Sequence, residues 1–197
     1  LLAPEIDLDA ETLLALATEM EGHPANVAPA LLGGLTIAWS EQTGARAKKL
    51  MVHRGVAPLV LVPDYAVSTE LARSLQPATV PYADAVFNLS RSALLVAALV
   101  QSPELLFEAT EDRLHQHYRA SAMPQTAGLI AELRAAGHAA VVSGAGPSVL
   151  VLAADPAQRA AAAAIAASRT DAAWRVLNLA VDFKGATVIE RRVDATA

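Results

Sequence analysis

The chain has 197 residues, of which 54% are hydrophobic, and it contains no cysteine. This length and apolar content can bury a core in one or two domains, which excludes an intrinsically disordered chain. The formal net charge is −5 at pH 7, so no basic surface is available for a polyphosphate backbone and we expect no nucleic-acid partner. The lack of cysteine rules out a disulfide framework and a thiolate zinc site, and it fits a cytoplasmic protein.

Membrane and export segments are not expected. The chain does not begin with methionine or a signal-like block, and its alanine-rich tract is interrupted by Arg159 and Arg169. We therefore expect no run to approach the roughly 18 to 20 apolar residues of a membrane span. The sequence predicts a soluble protein without a membrane partner, and one that starts within a longer chain.

The first 34 residues predict two helices joined by a polar turn. Asp9 can cap a helix whose apolar residues recur at helical spacing, and Gly22 would end it. Asn26 is placed to cap a second helix, which Gly33 and Gly34 would end.

The turn between these helices has the residue types of a ligand site. Spacing alone favours solvated carboxylates at Glu19 and Glu21 and a simple cap at Asn26. The alternative is one pocket at the two helix ends, with Glu19 available to a hard cation and His23 and Asn26 to a polar ligand. The spacing of these residues leaves both interpretations open.

Strands are expected next along the chain. Leu35–Trp39 and Lys49–His53 predict a hairpin across a polar turn. Leu59–Val62 is an apolar run typical of a strand buried on both faces. We place a domain boundary near Gly55, which lies between these segments.

The middle of the chain predicts helices. Ser68 and Thr69 can open a short helix in which Thr69 and Arg73 share a face suited to a carboxylate. A helix start and a solvated charge are the commoner interpretation of this pair. Tyr82–Gln101 predicts a long helix that is mostly core, and its apolar surface leaves room for a homodimer.

A further helical segment, Asp112–Arg119, offers two basic candidates. Arg113 and Arg119, taken alone, each read as a solvated side chain. Arg113 is, in addition, a candidate for a salt bridge.

A glycine-rich loop, Ser143–Ser148, separates two predicted strands, Ala139–Val142 and Val149–Leu152. Its consecutive backbone N–H groups can form an anion nest, although a simple turn is as good an interpretation. It matches neither the Walker loop nor the dinucleotide fingerprint. Near the end of the chain, Trp174–Val181 and Ala186–Glu190 predict a second hairpin. Helices alternating with short strands predict an α+β fold, with helices on one side of a largely antiparallel sheet.

Two segments resemble a known kinase family. Glu19–Gly34 resembles the segment that homoserine kinases carry after their phosphate loop. Val142–Leu150 resembles the third signature of the wider family of galactokinase, homoserine kinase, mevalonate kinase and phosphomevalonate kinase. Asp112–Arg119, followed by Met-Pro, and the Thr69/Arg73 pair also resemble homoserine kinase segments.

The resemblance implies a fold and an activity. Residues 1–54 would be the last portion of an amino-terminal kinase domain, and residues 55–197 a ferredoxin-like carboxyl-terminal domain. The implied reaction is ATP-dependent phosphorylation of the L-homoserine hydroxyl to O-phospho-L-homoserine in threonine biosynthesis, with Mg²⁺ as cofactor. Phosphoryl transfer asks mainly for positioning and charge neutralisation, so no strong base is required.

The resemblance also implies roles for individual residues. Asn26 and Arg119 would be catalytic. Glu19 would hold Mg²⁺, and His23 and Asn26 would contact the amino and hydroxyl end of homoserine. Its carboxylate would be bound by Thr69, Arg73 and Arg119. The phosphate loop would be supported by Ser143, Gly144, Ala145 and Gly146.

The sequence departs from the family pattern in two respects. Ala25 stands where the family commonly has the aspartate of His-Pro-Asp-Asn, which puts substrate affinity in question. The glycine- and serine-rich phosphate loop is not in this sequence. We therefore expect the isolated 197-residue chain to bind ATP feebly or not at all.

Two other functions stay open at this point. One is another small-molecule kinase of the family, acting on mevalonate or a sugar, against which the Thr69/Arg73 pair argues. The other is a noncatalytic, ferredoxin-like amino-acid sensor, which would bind homoserine or threonine without ATP.

Overall fold

The structure is a computed structural model that describes residues 8–188, except for the side chains of Thr69, Ala72 and Arg73. Within this range the chain forms two compact units. Residues 8–51 and 181–188 belong to the first unit, and residues 52–180 form the second. The segment 181–188, which the sequence analysis assigned to the second domain, therefore groups with the first unit.

The first unit begins with a capped helix. The Asp9 carboxylate accepts a hydrogen bond from Thr12 N at 2.7 Å, and Gly22 ends the helix in the left-handed region with φ 91°. Both predicted ends are confirmed, because an aspartate can satisfy an orphan N–H and glycine adopts positive φ without steric cost. The helices and strands of this unit are α1 (Ala10–Glu21), α2 (Pro24–Leu32), β1 (Leu35–Glu41) and β2 (Gly44–Leu50).

The prediction that Asn26 caps α2 is wrong. The helix starts earlier, with Pro24 at its first position and His23 as the N-cap residue. Proline favours that position because its fixed φ suits a helix and its missing N–H would be unpaired there anyway. Asn26 is therefore two residues inside the helix, and Pro29 also lies within it.

Strands β1 and β2 form the predicted hairpin. They pair antiparallel from Leu35 opposite Leu50 to Glu41 opposite Gly44. The second strand starts at Gly44 rather than at Lys49, so the turn is shorter than expected. Leu14, Ala28 and Ala45 form the small buried core of the unit.

The segment 181–188 is held against α2 and β2. Gly34 N donates to Asp182 O at 2.7 Å, and Ala186 N donates to Leu31 O at 3.2 Å. Lys49 Nζ donates to Leu32 O and Phe183 O, both at 2.5 Å. These contacts lie within the first unit.

The second unit contains a four-stranded antiparallel sheet in the order β4-β5-β3-β6. Its strands are β3 (Ala57–Pro63), β4 (Ala140–Val142), β5 (Val149–Ala153) and β6 (Trp174–Asn178). Its helices are α3 (Thr69–Ser74), α4 (Tyr82–Val100), α5 (Leu106–Ala109), α6 (Gln116–Arg119), α7 (Pro124–Ala135) and α8 (Pro156–Ser168), with 3₁₀ turns at Pro103–Leu105 and Ala120–Ala122.

The topology of this unit is ferredoxin-like. Helical segments separate β3 from β4 and β5 from β6, which gives the chain order β-α-β-β-α-β. Side chains of α7 and α8 pack with one face of the sheet in a single buried core, formed by Leu59, Leu61, Leu129, Leu133, Ala140, Val149, Val151, Ala162 and Ala166. The α+β fold predicted from the sequence is confirmed.

Two strand predictions need correction. In β3, Leu59 and Leu61 are fully buried, but Val60 and Val62 are only partly buried, so one face of the strand carries the core. Strand β6 pairs with β3 rather than with a following strand. Residues 186–188 are not a strand, and residues 189–190 of the predicted hairpin lie outside the described range.

Helix α4 is apolar but mostly not core. Ala98 is buried, whereas Tyr82 is 85% exposed and Leu89 is 71% exposed. With 19 residues and a mean hydropathy of 1.5, this helix is long and apolar enough to cross a membrane. The expectation that no run approaches such a length is therefore wrong for α4, although length and composition alone are weak evidence of a span. The exposed face leaves the homodimer as a prediction.

Substituting Gly185 with alanine should destabilise the first unit. Gly185 has φ +75°, and a Cβ there would overlap Leu31 O and Gly33 N. We expect Gly185→Ala to cost about 2–4 kcal/mol of unfolding free energy, because strain and overlap add. Urea unfolding in a Trp174→Phe background measures this cost, since Trp39 of β1 is then the remaining tryptophan.

Gly22→Ala is the matched control. Gly22 also has positive φ, at +91°, but a Cβ there would meet no atom within 4 Å. It should therefore cost only the backbone strain, about 1 kcal/mol. Equal losses in the two variants would contradict the steric explanation.

Candidate functional site

The polar turn of the first unit presents its side chains to solvent. Glu19 lies in the last turn of α1, His23 is the N-cap residue of α2, and Asn26 is in the first turn of α2. All three are exposed. Because only Gly22 and His23 separate α1 from α2, the fold keeps these groups on one short turn.

A metal ion at this turn would need ligands from elsewhere. Within residues 8–188, no group of three or more His, Asp or Glu side chains is placed to hold a metal. Mg²⁺ is often bound by one or two carboxylates together with substrate phosphates and water. The exposed Glu19 carboxylate fits that manner of binding, so its metal role stays a prediction.

The glycine-rich loop of the second unit is a closed turn between β4 and β5. Ser143 N donates to Ser148 O at 2.8 Å, and Gly146 N donates to Ser143 O at 3.0 Å. Gly144 and Gly146 have φ values of +60° and +86°, which favour glycine, and the Gly146–Pro147 peptide is cis. The loop is therefore a defined structure.

A buried hydrogen-bond chain supports this loop. The fully buried Thr126 donates from Oγ1 to Pro147 O at 2.6 Å. Tyr65 Oη donates to Thr126 Oγ1 at 2.7 Å and accepts from Thr126 N at 3.1 Å. Each hydroxyl thus both donates and accepts, and the N–H in the first turn of α7 finds a partner.

Gly146 is also needed for packing. A Cβ at this position would lie 2.7 Å from Met123 Sδ and 3.1 Å from Val142 Cγ1. Met123 is itself buried, with 1% exposure, so it has little room to move. The loop consequently packs directly on the residue that precedes α7.

Arg119, at the end of α6, lies beside the loop. Its Nη1 donates to Gly144 O at 3.4 Å. With the Gln76 amide oriented to satisfy both neighbours, Arg119 Nε donates to Gln76 Oε1 at 2.9 Å, and Gln76 donates to Leu114 O at 3.1 Å. The structure therefore brings together Arg119 and Gly144, two of the predicted site residues.

A cavity of about 480 Å³ opens next to Arg119 within the second unit. One part of it is apolar, with Leu95, Leu99 and Leu150 in its wall. The other part is polar, and there Arg91 and Glu111 form an ion pair with 2.7 Å between Nη2 and Oε2. A small ligand with charged and apolar portions is the kind of molecule that such a cavity suits.

Asp112 is the most strongly perturbed acid of this region. Burial alone would raise its pKa, but the backbone N–H of Gln116, the Asn88 side chain and the N–H groups of Leu114 and His115 lower its pKa to about 2. The side chain is 14% exposed. Asp112 is therefore ionised and fully engaged by donors at neutral pH.

The other predicted residues are placed as follows. The backbone of α3 sets Thr69 and Arg73 one helical turn apart, and their side chains lie outside the described part. Arg113 Nη1 lies 3.5 Å from Asp84 Oδ1, so the predicted salt bridge is confirmed. Glu19, His23 and Asn26 belong to the first unit and the remaining site residues to the second. Their common binding of one ligand stays a prediction.

Several supporting residues were missed by the sequence analysis. Tyr65, Gln76, Gln116 and Thr126 act through contacts between segments far apart in the chain. Of these residues, only Thr126 has a weak signal in the sequence. It lies two residues after Pro124, a proline that can begin a helix, and so in a first turn whose N–H groups lack partners within the helix.

Known proteins resemble this chain over most of its length. Residues 93–171 match the family model described as GHMP kinases C terminal. A protein of Leifsonia xyli subsp. xyli named homoserine kinase is 69% identical over 97% of this chain and 59% of its own length. A homoserine kinase of Clavibacter michiganensis is 66% identical over 95% of this chain and 60% of its own length.

The matched family model covers residues 93–171, which is less than half of the chain. A crystal structure of homoserine kinase from Cytophaga hutchinsonii superposes on 91% of this chain and 60% of its own chain, with a TM-score of 0.80 at 24% identity. That similarity concerns the fold. This chain spans about 59% of the length of the curated relative from Leifsonia.

The stability of the second unit should depend on pH through Asp112. A carboxyl with a lowered folded-state pKa stabilises the fold above its ordinary pKa of 3.8, and this contribution is lost as the pH falls through about 2. The lost contribution is about 2 kcal/mol. Urea unfolding of wild type and Asp112→Asn between pH 5 and pH 2 should show their stability difference shrinking by that amount. Parallel curves would contradict it.

Proposed function

We propose that this chain forms the carboxyl-terminal part of a homoserine kinase. The reaction is transfer of the γ-phosphoryl group of ATP to the side-chain hydroxyl of L-homoserine, which gives O-phospho-L-homoserine for threonine biosynthesis in the cytoplasm. The observation that carries the proposal is the contact between Arg119 and the glycine-rich loop within the second unit. Arg119, which we propose binds the substrate carboxylate, thus lies beside the loop expected to support the phosphate loop, in a chain whose relatives are named homoserine kinases.

The described residues suit a reaction that depends on positioning. Arg119 has a guanidinium braced on two sides, by Gly144 O and Gln76, so little conformational freedom is lost when it binds a carboxylate. Together with Thr69 and Arg73 it would hold the carboxylate of homoserine, and charge-assisted pairs of this kind are strong. His23 and Asn26 would contact the amino and hydroxyl end.

Fewer residues of this chain would serve the metal and the nucleotide than would bind homoserine. Bound Mg²⁺ would neutralise charge on the phosphoryl oxygens, and Glu19 is the residue that would hold it. The loop from Ser143 to Gly146 would support a phosphate loop through its closed, glycine-dependent shape. No strong base is required, because phosphoryl transfer depends mainly on orientation and electrostatic stabilisation.

A chimera tests the proposal. This chain should replace the matching part of the Leifsonia xyli relative, and ADP release should be followed with homoserine, mevalonate and galactose. We expect turnover with homoserine and none above background with the other two. Preferred turnover of mevalonate or galactose would identify another kinase of the family and overturn the proposal.

The 197-residue chain assayed alone tests the expectation about the phosphate loop. We expect it to show no measurable ATP binding, because the glycine- and serine-rich loop is not in its sequence. Calorimetry with ATP, homoserine and threonine makes the measurement. Tight binding of an amino acid without ATP, in a chimera that lacks kinase activity, would instead support the amino-acid sensor.

Arg119→Ala should weaken homoserine binding in the chimera. Losing a charge-assisted hydrogen bond costs about 1.5–3 kcal/mol, so the KM for homoserine should rise roughly 10- to 150-fold, while the KM for ATP stays nearly constant. Steady-state kinetics at varied homoserine measures this change.

Arg113→Ala is the matched control for Arg119→Ala. Arg113 comes from the same segment but pairs with Asp84 and stacks over Phe87, with its Cζ 3.7 Å from the ring centroid. It should leave the KM for homoserine within about twofold, since exposed ion pairs contribute little. Equal effects of the two substitutions would remove Arg119 from the site.

A further inference from the structure

Asp112 is the centre of a hydrogen-bond network that joins α4 to α6. Its Oδ1 accepts from Asn88 Nδ2 at 2.8 Å and from Leu114 N at 3.1 Å. Its Oδ2 accepts from His115 N at 2.9 Å and from Gln116 N at 2.7 Å. Asn88 Oδ1 in turn accepts from Arg113 N at 2.8 Å, so the tie between the two segments is reciprocal.

Gln116, whose N–H donates to Asp112, joins α6 to the sheet. Its Oε1 accepts from Val142 N at 2.8 Å. Val142 is the last residue of β4, an edge strand, and Ser143 of the glycine-rich loop follows it directly. Gln116 therefore gives an edge N–H a partner and fixes α6 against the start of that loop.

Helix α6 cannot hold Arg119 in place by its own stability. It has four residues, Gln116–Arg119, far below the length at which a helix is stable in isolation. Its start depends on the three backbone N–H groups that Asp112 accepts. The direction of the Arg119 side chain, one turn later, consequently depends on a carboxylate seven residues earlier in the chain.

We propose that Asp112 is a positioning residue for Arg119, holding α6 so that the guanidinium stays beside Gly144 and Gln76 for the substrate carboxylate. This inference rests on the proposed function, in which Arg119 binds homoserine. Asp112 does not bind the substrate itself, since both of its oxygens are taken by donors and its charge would repel a carboxylate. It acts through the geometry of α6.

Asp112→Asn in the chimera tests the proposal because charge and geometry predict opposite results. Removing a negative charge near Arg119 would by itself tighten the binding of a carboxylate. Loss of positioning would instead weaken carboxylate binding. An asparagine Nδ2 would face donor groups from Asn88 or from the start of α6, so α6 would no longer be held in place. We expect the KM for homoserine to rise by about tenfold with kcat changed less than about threefold.

A reversed pair should restore binding. In Asn88→Asp/Asp112→Asn, the new carboxylate at position 88 can accept from Arg113 N and from the new amide, whose oxygen can accept from His115 N and Gln116 N. Only the longer 3.1 Å bond from Leu114 N is not restored. Net charge is then that of the wild type. The KM for homoserine should return to within about threefold of the wild-type value. A reversed pair as impaired as Asp112→Asn would overturn the proposal.

A double-mutant cycle separates positioning from a general loss of stability. If Asp112 acts through Arg119, then adding Asp112→Asn to Arg119→Ala should raise the KM by no more than about twofold. Additive effects would overturn the proposal. Asp155→Asn is the control, because Asp155 caps α8 by accepting from Gln158 N at 2.8 Å and should leave the KM unchanged.

The NMR resonance of the Arg119 Nε–H tests the positioning role of Asp112 independently of activity. In the chimera, the Nε–H resonance of Arg119 should shift and exchange faster with solvent in Asp112→Asn, and return in the reversed pair. An unaltered resonance would overturn the positioning role. A wild-type chimera that fails to phosphorylate homoserine would instead refute the proposed function, and the resonance would still decide whether Asp112 positions Arg119.

Discussion

The buried hydroxyl of Thr126 is the contact on which the second unit's site depends. It donates to Pro147 O at 2.6 Å and accepts from Tyr65 Oη at 2.7 Å, with no exposure to solvent. A buried hydroxyl left unpaired would cost about 1–3 kcal/mol, so this geometry is strongly favoured over alternatives in which the loop shifts. The start of α7, the segment after β3 and the glycine-rich loop are thereby fixed to one another, and Arg119 finds its Gly144 acceptor in a defined place.

Helix ends were predicted correctly from the sequence where a single residue determines the end. Asp9 and Gly22 bound α1 because a cap and a left-handed residue act over three or four positions. Asn26 was misjudged since two signals competed in the same turn, and the proline at position 24 outweighed the amide cap. The partner of β6 could not be read from the chain, as its pairing with β3 joins residues more than 100 positions apart.

The sequence analysis named charged candidates for the site but none of the residues that support them. Arg119 was assigned through resemblance, since nothing in its local pattern distinguishes it from a solvated arginine such as Arg113. Tertiary contacts supply the difference, because Arg119 donates to Gly144 O and to Gln76, whereas Arg113 pairs with the Asp84 carboxylate. Gln76 and Tyr65 lie in irregular stretches, where periodicity carries no information about which side chain turns inward.

The division into two units separates the roles proposed for the chain. The described contacts that brace Arg119 and the glycine-rich loop lie within residues 52–180. The exposed turn that carries Glu19, His23 and Asn26 belongs to the first unit, which has its own small core. The described contacts that build the Arg119 site join residues of the second unit to one another. A substitution in the exposed turn should therefore alter the proposed metal or hydroxyl binding without breaking any of these contacts. The geometry that we propose for the substrate carboxylate is thus built from residues of the ferredoxin-like unit.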